Sequence, residues 1–147
     1  FMRVLDKHKP GDKVTLGVLR DGQKVEIPVT LDEFPKLGSD MPYVFSAKVG
    51  VVTRDLVFTD LYARRLPTDT KGVVVALVKN GSPAALGTTP LRAGMLITKV
   101  DDQPVDDEKS FTEVMAKETA RPDLKEMVFS VILPNGDTQV CRVDLTK

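Results

Sequence analysis

The sequence predicts a mainly β fold of the α+β class, and three observations support this prediction. The two ends of the chain carry the same hairpin pattern, at residues 14–31 and 128–145. Residues 72–78 form a continuous apolar run rich in β-branched side chains, which is typical of a strand covered on both faces. One long amphipathic helical pattern ends before Pro122. We therefore expect a partly open β-barrel or sandwich with one long helix and one or two short helices.

The repeated hairpin aligns when residue 14 is laid on residue 128. The aligned matches are Val14 with Val128, Gly22 with Gly136, Val29 with Val143 and Leu31 with Leu145. Each copy has a turn dipeptide, Asp21-Gly22 or Asn135-Gly136, that tolerates the positive φ of a tight hairpin. The same supersecondary unit is thus predicted twice.

Alternation after each turn defines an inward face. In the second copy Cys141, Val143 and Leu145 share that face, and in the first copy Ile27 fills the place of Cys141. Cys141 is therefore predicted to be a small apolar core residue rather than a reactive thiol.

Between the hairpins, the pattern predicts strands at residues 49–57, 72–78 and 96–100. A short helix is expected from Thr59, as its N-cap, to Leu66, because Pro67 stops it. Ser82 and Pro83 suit the N-cap and first residue of a one-turn helix through Leu86. A turn at residues 101–104 then leads to the long helix, whose first turn carries the acidic residues 106–108.

The first hairpin has only a few residues before it, whereas the second is preceded by enough sequence for a whole domain. We therefore interpret residues 1–31 as the C-terminal part of a truncated domain and residues 48–147 as a complete one. Residues 32–47 contain Pro35, Gly38 and Pro42 without sustained periodicity, which predicts a linker. The chain opens at Phe1 inside an apparent element, without an initiator Met, so the pattern favours a piece of a larger protein.

Composition excludes several classes of function. Lys plus Arg equals Asp plus Glu at 21 each, so the sequence lacks the basic field that drives nucleic-acid binding. A single cysteine and a single histidine cannot make an internal disulfide or a His-rich metal cluster. No apolar stretch approaches the roughly 20 residues that cross a bilayer. We expect no nucleic-acid partner, no metal and no cofactor.

Five segments occur in an order that resembles a known family. They are Lys48-Val49-Gly50-Val51, Lys71 to Val75, Gly81 to Ala85, Leu91 to Ile97, and Gln103-Pro104-Val105. Over residues 48–146 the chain resembles a PDZ domain of the bacterial HtrA-type (Do-like) serine proteases, and residues 9–31 are similar to the end of a preceding PDZ domain. Met95, where the family usually has Asp, and Lys48, where it usually has an aromatic residue, depart from the family pattern.

The resemblance implies a site for extended peptides. Residues 51–55 would form an exposed sheet edge that a peptide completes, and the amides of Val49, Gly50 and Val51 would hold a terminal carboxylate. The alternative is that Gly50 only forms a bulge at the start of a strand. On the long helix, Val114 is expected to face the core and leave Phe111 and Met115 near the groove, although all three could instead belong to the core. The predicted peptide-binding residues are Val49, Gly50, Val51, Val52, Thr53, Phe111 and Met115.

No catalytic residues are predicted. The only histidine, His8, lies between Lys7 and Lys9 in the leading segment, and the chain lacks the Gly-x-Ser-x-Gly and His-Glu-x-x-His patterns. The acidic residues 101–108 suit a turn and a helix N-terminus better than a site for calcium or another hard cation.

The leading hypothesis is a regulatory, peptide-binding PDZ region of an envelope-located HtrA-like serine endopeptidase that takes part in protein quality control. It would capture unfolded-protein or C-terminal segments for a protease domain upstream. One alternative is a scaffold module whose groove a neighbouring domain fills, and another is the PDZ domain of a membrane metalloprotease. The truncated hairpin is expected to pack on the complete module or on a second chain, because an isolated hairpin is marginal in water.

Overall fold

A computed structural model describes residues 7–146, so the expected opening of the chain within an element at Phe1 lies outside the described residues. The chain forms two compact units, Phe1–Pro35 and Lys36–Lys147. The predicted boundary near Lys48 is wrong, because a short strand within residues 36–47 belongs to the sheet of the second unit. In the described part of the chain, none of the helices has the length and apolar character needed to cross a membrane.

The first unit is the predicted hairpin. Strands β1 (Lys13–Arg20) and β2 (Gln23–Thr30) pair around Asp21 and Gly22, whose φ values are 52° and 77°. Both central residues of a tight two-residue turn need positive φ, which Asp tolerates and Gly adopts freely. Three apolar cross-strand pairs line one face: Val14 with Val29, Leu16 with Ile27, and Val18 with Val25.

The second unit is built on one open antiparallel sheet. Its strands are β3 (Val44–Ser46), β4 (Val51–Asp55), β5 (Val73–Val78), β6 (Leu96–Val100), β7 (Gln103–Pro104), β8 (Glu126–Ile132) and β9 (Thr138–Asp144). The spatial order is β3-β4-β5-β6-β8-β9, and β7 pairs with β6. The first half of β5 is buried on both faces, as its continuous apolar run predicts.

One long helix and two short helices complete this unit, and they confirm the predicted α+β class: α1 (Phe58–Arg64), α2 (Pro83–Leu86) and α3 (Glu108–Thr119). Helix α3 begins where the acidic residues predict, with Asp107 accepting a hydrogen bond from the Ser110 amide at 2.8 Å. The prediction that Thr59 caps α1 is wrong. The Asp60 carboxylate instead reaches back to the Val57 amide at 3.1 Å, so the helix begins earlier.

The core lies between the sheet and α3. Its largest fully buried side chains are Phe111, Phe129, Leu96, Ile97 and Met127. Cys141 has no exposed surface, which confirms its predicted place, and burial raises the pKa of its thiol. The expectation that Val114 is the core residue of α3 is wrong. Phe111 and Met115 lie one turn apart on the buried stripe of the helix, and Val114 packs at its margin.

The two hairpins differ in register by one residue. Val14 lies opposite Val29, but its predicted counterpart Val128 lies opposite Arg142, so the match of Val14 with Val128 is wrong. The cause is Pro134, which has no N–H to pair across a two-residue turn. The Leu133 amide donates to the Asp137 carbonyl at 2.8 Å instead, and the second loop is longer.

The apolar faces of the two hairpins therefore correspond once one additional residue is allowed in the second turn. Val14, Leu16 and Val18 correspond to Met127, Phe129 and Val131. These last three residues are at most 1% exposed, because the rest of the second unit covers them. The repeat remains, with Pro134 accounting for the shifted register.

Candidate functional site

The predicted sheet edge at Val51–Asp55 is not free. Strand β4 pairs with β5 along one side and with β3 along the other. In the second pairing Val44 lies opposite Thr53, Phe45 opposite Val52, and Ser46 opposite Val51. A three-residue strand within a segment containing Pro and Gly is too short to show alternation in the sequence. Residues 51–53 consequently have a strand on each side, and β3 is the edge of the sheet.

Backbone hydrogen bonds hold the loop between β3 and β4. The Gly50 amide donates to the Ser46 carbonyl at 2.8 Å, and the Gly50 carbonyl accepts from the Lys79 amide at 2.8 Å. Gly50 has a φ of 79°, and a Cβ atom there would lie 2.2 Å from the Ser82 Cβ atom. Glycine is therefore required both for the turn and for the close approach of α2.

An apolar groove of about 270 Å³ lies between this hairpin and α3. Its lining consists of Val44, Phe45, Ser46, Ala47, Lys48, Phe111, Thr112, Met115, Ala116 and Thr119. Phe111 and Met115 are 1% and 6% exposed, so they form the floor of the groove and part of the core at the same time. The groove thus has a backbone strand on one side and an apolar helix face on the other.

Of the seven predicted site residues, the structure brings Phe111 and Met115 into the groove lining. Val49, Val51 and Thr53 are fully buried, and Val51, Val52 and Thr53 pair with β3. Sequence analysis missed residues 44–48, which line the same groove, because it assigned them mainly to a linker.

A buried polar contact joins the strand side of the groove to the helix. The Thr53 hydroxyl donates to Glu108 Oε1 at 3.0 Å, and the Glu108 amide donates to Asp55 Oδ1 at 2.7 Å. Glu108 Oε2 is buried without a hydrogen-bond partner among residues 7–146. Burial raises the pKa of the Glu108 carboxyl; the Thr53 hydrogen bond opposes this, while the neighbouring Asp55 charge adds to it.

We expect Glu108→Gln to stabilise the second unit at neutral pH. A raised pKa means that the folded state binds more protons than the unfolded state, so stability falls as pH rises from the ordinary carboxyl value of 4.5 through the folded value. Gln keeps an acceptor for Thr53 and carries no charge into the buried site. Urea unfolding at pH 7.5 should show a gain of about 1 kcal/mol.

The matched control for this prediction is Glu113→Gln, on the exposed side of the same helix. It should leave the free energy of unfolding within about 0.5 kcal/mol of wild type. A Glu108→Gln variant that is less stable than wild type at pH 7.5 would show that the carboxylate is stabilising where it lies.

A second polar cluster anchors the chain just before β3. Arg54 donates to Asp60 Oδ2 at 2.7 Å and to Asp60 Oδ1 at 2.9 Å, and Arg64 donates to the Asp60 carbonyl at 2.9 Å. Burial raises the pKa of the Asp60 carboxyl, but the hydrogen bonds from Arg54 and Val57 outweigh it and hold the pKa below its ordinary value. A Cβ atom at Gly38 would lie 2.4 Å from the Arg54 guanidinium, so the 3-10 turn Gly38–Asp40 packs closely on this cluster.

The acidic residues near α3 serve local structure. Asp101 Oδ1 accepts from the Val128 amide at 2.8 Å, Asp107 caps α3, and Asp106 lies 3.0 Å from the Lys71 ammonium. In the first unit, His8 Nδ1 lies 3.5 Å from Asp12 Oδ2, and both side chains are exposed. These placements fit the predicted turn, helix N-terminus and solvated histidine.

Several known proteins are similar to this chain, and they are of the kind that the sequence pattern resembles. A probable periplasmic serine endoprotease DegP-like of Chlamydia muridarum (strain MoPn / Nigg) is 35% identical over 107 residues, covering 72% of this chain and 20% of the relative. The periplasmic serine endoprotease DegP of Salmonella typhimurium is 26% identical over 130 residues, covering 88% of this chain and 23% of the relative. No protein-family model matches the chain.

Among solved structures, the HtrA-type protease AlgW with decapeptide is 27% identical, with a TM-score of 0.52, over 65% of this chain and 27% of that chain. The chain thus spans only about a fifth to a quarter of the length of these proteins. These findings confirm the resemblance to HtrA-type serine proteases, and the observed α+β fold agrees with the PDZ-like fold that the sequence predicts.

Proposed function

Because the chain resembles the PDZ region of HtrA-type serine proteases, we propose that residues 36–147 bind extended peptides by strand addition to β4, beside the apolar groove between the β3–β4 hairpin and α3. The single observation that carries this proposal is the apolar groove of about 270 Å³, with a strand on one side and the helix bearing Phe111 and Met115 on the other. Main-chain hydrogen bonds would supply affinity with little sequence demand, and the groove would select an apolar side chain.

The proposed bound state assigns a role to each predicted site residue. The backbone of Val52 and Thr53 forms the ladder with the peptide. The amides of Val49, Gly50 and Val51 surround the terminal carboxylate, whose charged oxygens accept hydrogen bonds more strongly than the Ser46 carbonyl now bonded to Gly50. Phe111 and Met115 receive the terminal side chain.

In the whole protein, this region would regulate a serine endopeptidase of the periplasm or cell envelope. The relatives are named periplasmic serine endoproteases, and the structural neighbour is an HtrA-type protease with a decapeptide. The chain spans a minor part of their length, which supports our proposal that the protease domain lies outside it and that the region itself has a non-catalytic role. Its partners would be unfolded or C-terminal peptide segments and that protease domain.

A scaffold module is the second candidate function, favoured by one observation: β3 already pairs along the strand that a peptide would use. In that case another part of the parent protein would occupy the groove. The relatives' names favour a serine endopeptidase over a metalloprotease as the parent.

Titration of two versions of one fluorescent peptide tests the proposal. A peptide ending in Leu with a free carboxylate should bind reversibly, and its amidated version should bind at least about tenfold more weakly, because one charge-assisted hydrogen bond is worth roughly 1.5–3 kcal/mol. Equal affinities would remove Val49, Gly50 and Val51 from the carboxylate role. If the folded chain binds neither peptide, the scaffold function replaces this one.

A further inference from the structure

We propose that the segment Val44–Ser46 is a built-in competitor that occupies the side of β4 opposite β5, and that a peptide binds by displacing it. This inference rests on the proposed function and adds its regulation. The preferred partner is then an extended segment whose terminal apolar side chain is larger than the serine that the chain itself supplies.

Along residues 51–53, β4 has no free edge in the sheet. A strand can pair along two edges, and β4 pairs with β5 along one edge and with β3 along the other. Val44 pairs with Thr53 and Ser46 with Val51, so β3 covers the side of β4 opposite β5, and β3 itself lines the groove. A peptide can join β4 on this side only where β3 has left it.

The direction of β3 and the hydrogen bond it makes with the following loop resemble those proposed for a bound peptide. Strand β3 runs antiparallel to β4 and ends at the loop, as a peptide would if its carboxylate met the loop amides. The Ser46 carbonyl accepts the Gly50 amide at 2.8 Å, so it occupies the hydrogen bond proposed for the carboxylate. Within the chain, the Gly50 amide is therefore already hydrogen-bonded without a peptide.

The internal segment Val44–Ser46 leaves part of the groove unfilled. Val44 and Ser46 are half-buried, while Phe45 between them is 53% exposed. The serine side chain is small, and about 270 Å³ of apolar space remains beside it over Phe111 and Met115. A Leu-sized or Met-sized side chain from a partner would fill space that the internal segment leaves empty.

A three-residue ladder makes few hydrogen bonds, so the release of β3 from β4 costs little free energy. Gly38 packs on Arg54, which keeps the released segment near the groove. The apparent affinity for a peptide is reduced by the fraction of molecules with an open groove. If about one molecule in a hundred is open, binding is weakened about a hundredfold. Any contact that draws residues 36–46 away would raise peptide affinity by the same factor.

A reversible covalent lock tests the inference in the full chain. Phe45 and Val52 lie directly opposite, so the double variant Phe45→Cys, Val52→Cys should form a disulfide, and the native Cys141 is buried away from it. We expect the oxidised variant to bind the free-carboxylate peptide at least tenfold more weakly than the same variant after reduction. Circular dichroism should show the same fold in both forms.

The outcomes separate this inference from the proposed function. If oxidised and reduced forms bind the peptide equally, the lock leaves the site open and the competitor role is wrong, while peptide binding stands. Absence of binding in both forms and in wild type would overturn the proposed function itself and the inference with it.

A second variant keeps the test independent of the disulfide. Ser46→Leu should fill the cavity from within the chain and weaken peptide binding about tenfold. Ser39→Leu is the matched control, since it makes the same change on an exposed residue that precedes β3 and lies outside the groove lining, and it should leave affinity within twofold. Unchanged affinity in Ser46→Leu would contradict the inference.

Discussion

Asp60→Ala should lower the free energy of unfolding of the second unit by about 3 kcal/mol, the lower end of the range for breaking a buried ion pair. The side chains of Arg54 and Asp60 are 13% and 12% exposed, and that of Arg64 is 9% exposed. Removing the carboxylate leaves two poorly hydrated cations facing each other and deprives the Val57 amide of its partner. The lower end applies because Arg64 keeps its 2.7 Å hydrogen bond to the Gly94 carbonyl.

Urea unfolding followed by far-ultraviolet circular dichroism measures this loss. The pKa of Asp60 is lowered, so its stabilisation is present above the ordinary value of 3.8 and disappears as pH falls through the folded value. The difference between wild type and variant should therefore shrink in acid. Asp69→Ala, at an exposed aspartate nearby in sequence, should change stability by less than about 0.5 kcal/mol, and equal losses in the two variants would refute the assigned role.

Sequence patterns predict the structural features that depend only on neighbouring residues in the chain. The Asp21-Gly22 turn, the buried run in β5 and the start of α3 at the acidic residues 106–108 each follow from a few adjacent residues, and all three are present. Position in the core is also local where alternation is clear, as for Cys141.

What the sequence does not reveal depends on contacts between distant residues. Strand β3 has only three residues, and its pairing becomes evident only once β4 is placed beside it. The Asp60 carboxylate caps α1 because Arg54 positions it from β4. The buried face of α3 depends on which side of the helix packs against the sheet. Periodicity alone predicts Val114 as the core residue, whereas Phe111 and Met115 occupy the core.

For the proposed groove, the largest loss of binding is expected from Met115→Asp. The variant places a carboxylate on the floor where the terminal side chain of the peptide would lie. Burial of a Val-sized or Leu-sized side chain contributes roughly 1.5–3 kcal/mol, so losing it should weaken binding about 10- to 100-fold. Glu113→Ala, exposed on the same helix, should bind nearly as wild type.

Met115 also belongs to the core, so the charge will cost stability as well as affinity. Binding must therefore be titrated at a temperature where circular dichroism shows the variant folded. Ala116→Leu provides a test that spares the core, because Ala116 is exposed and lines the groove, and a larger side chain there should obstruct the peptide. If Ala116→Leu and a folded Met115→Asp both bind the free-carboxylate peptide with wild-type affinity, the peptide binds elsewhere and the groove between the β3–β4 hairpin and α3 is not the site.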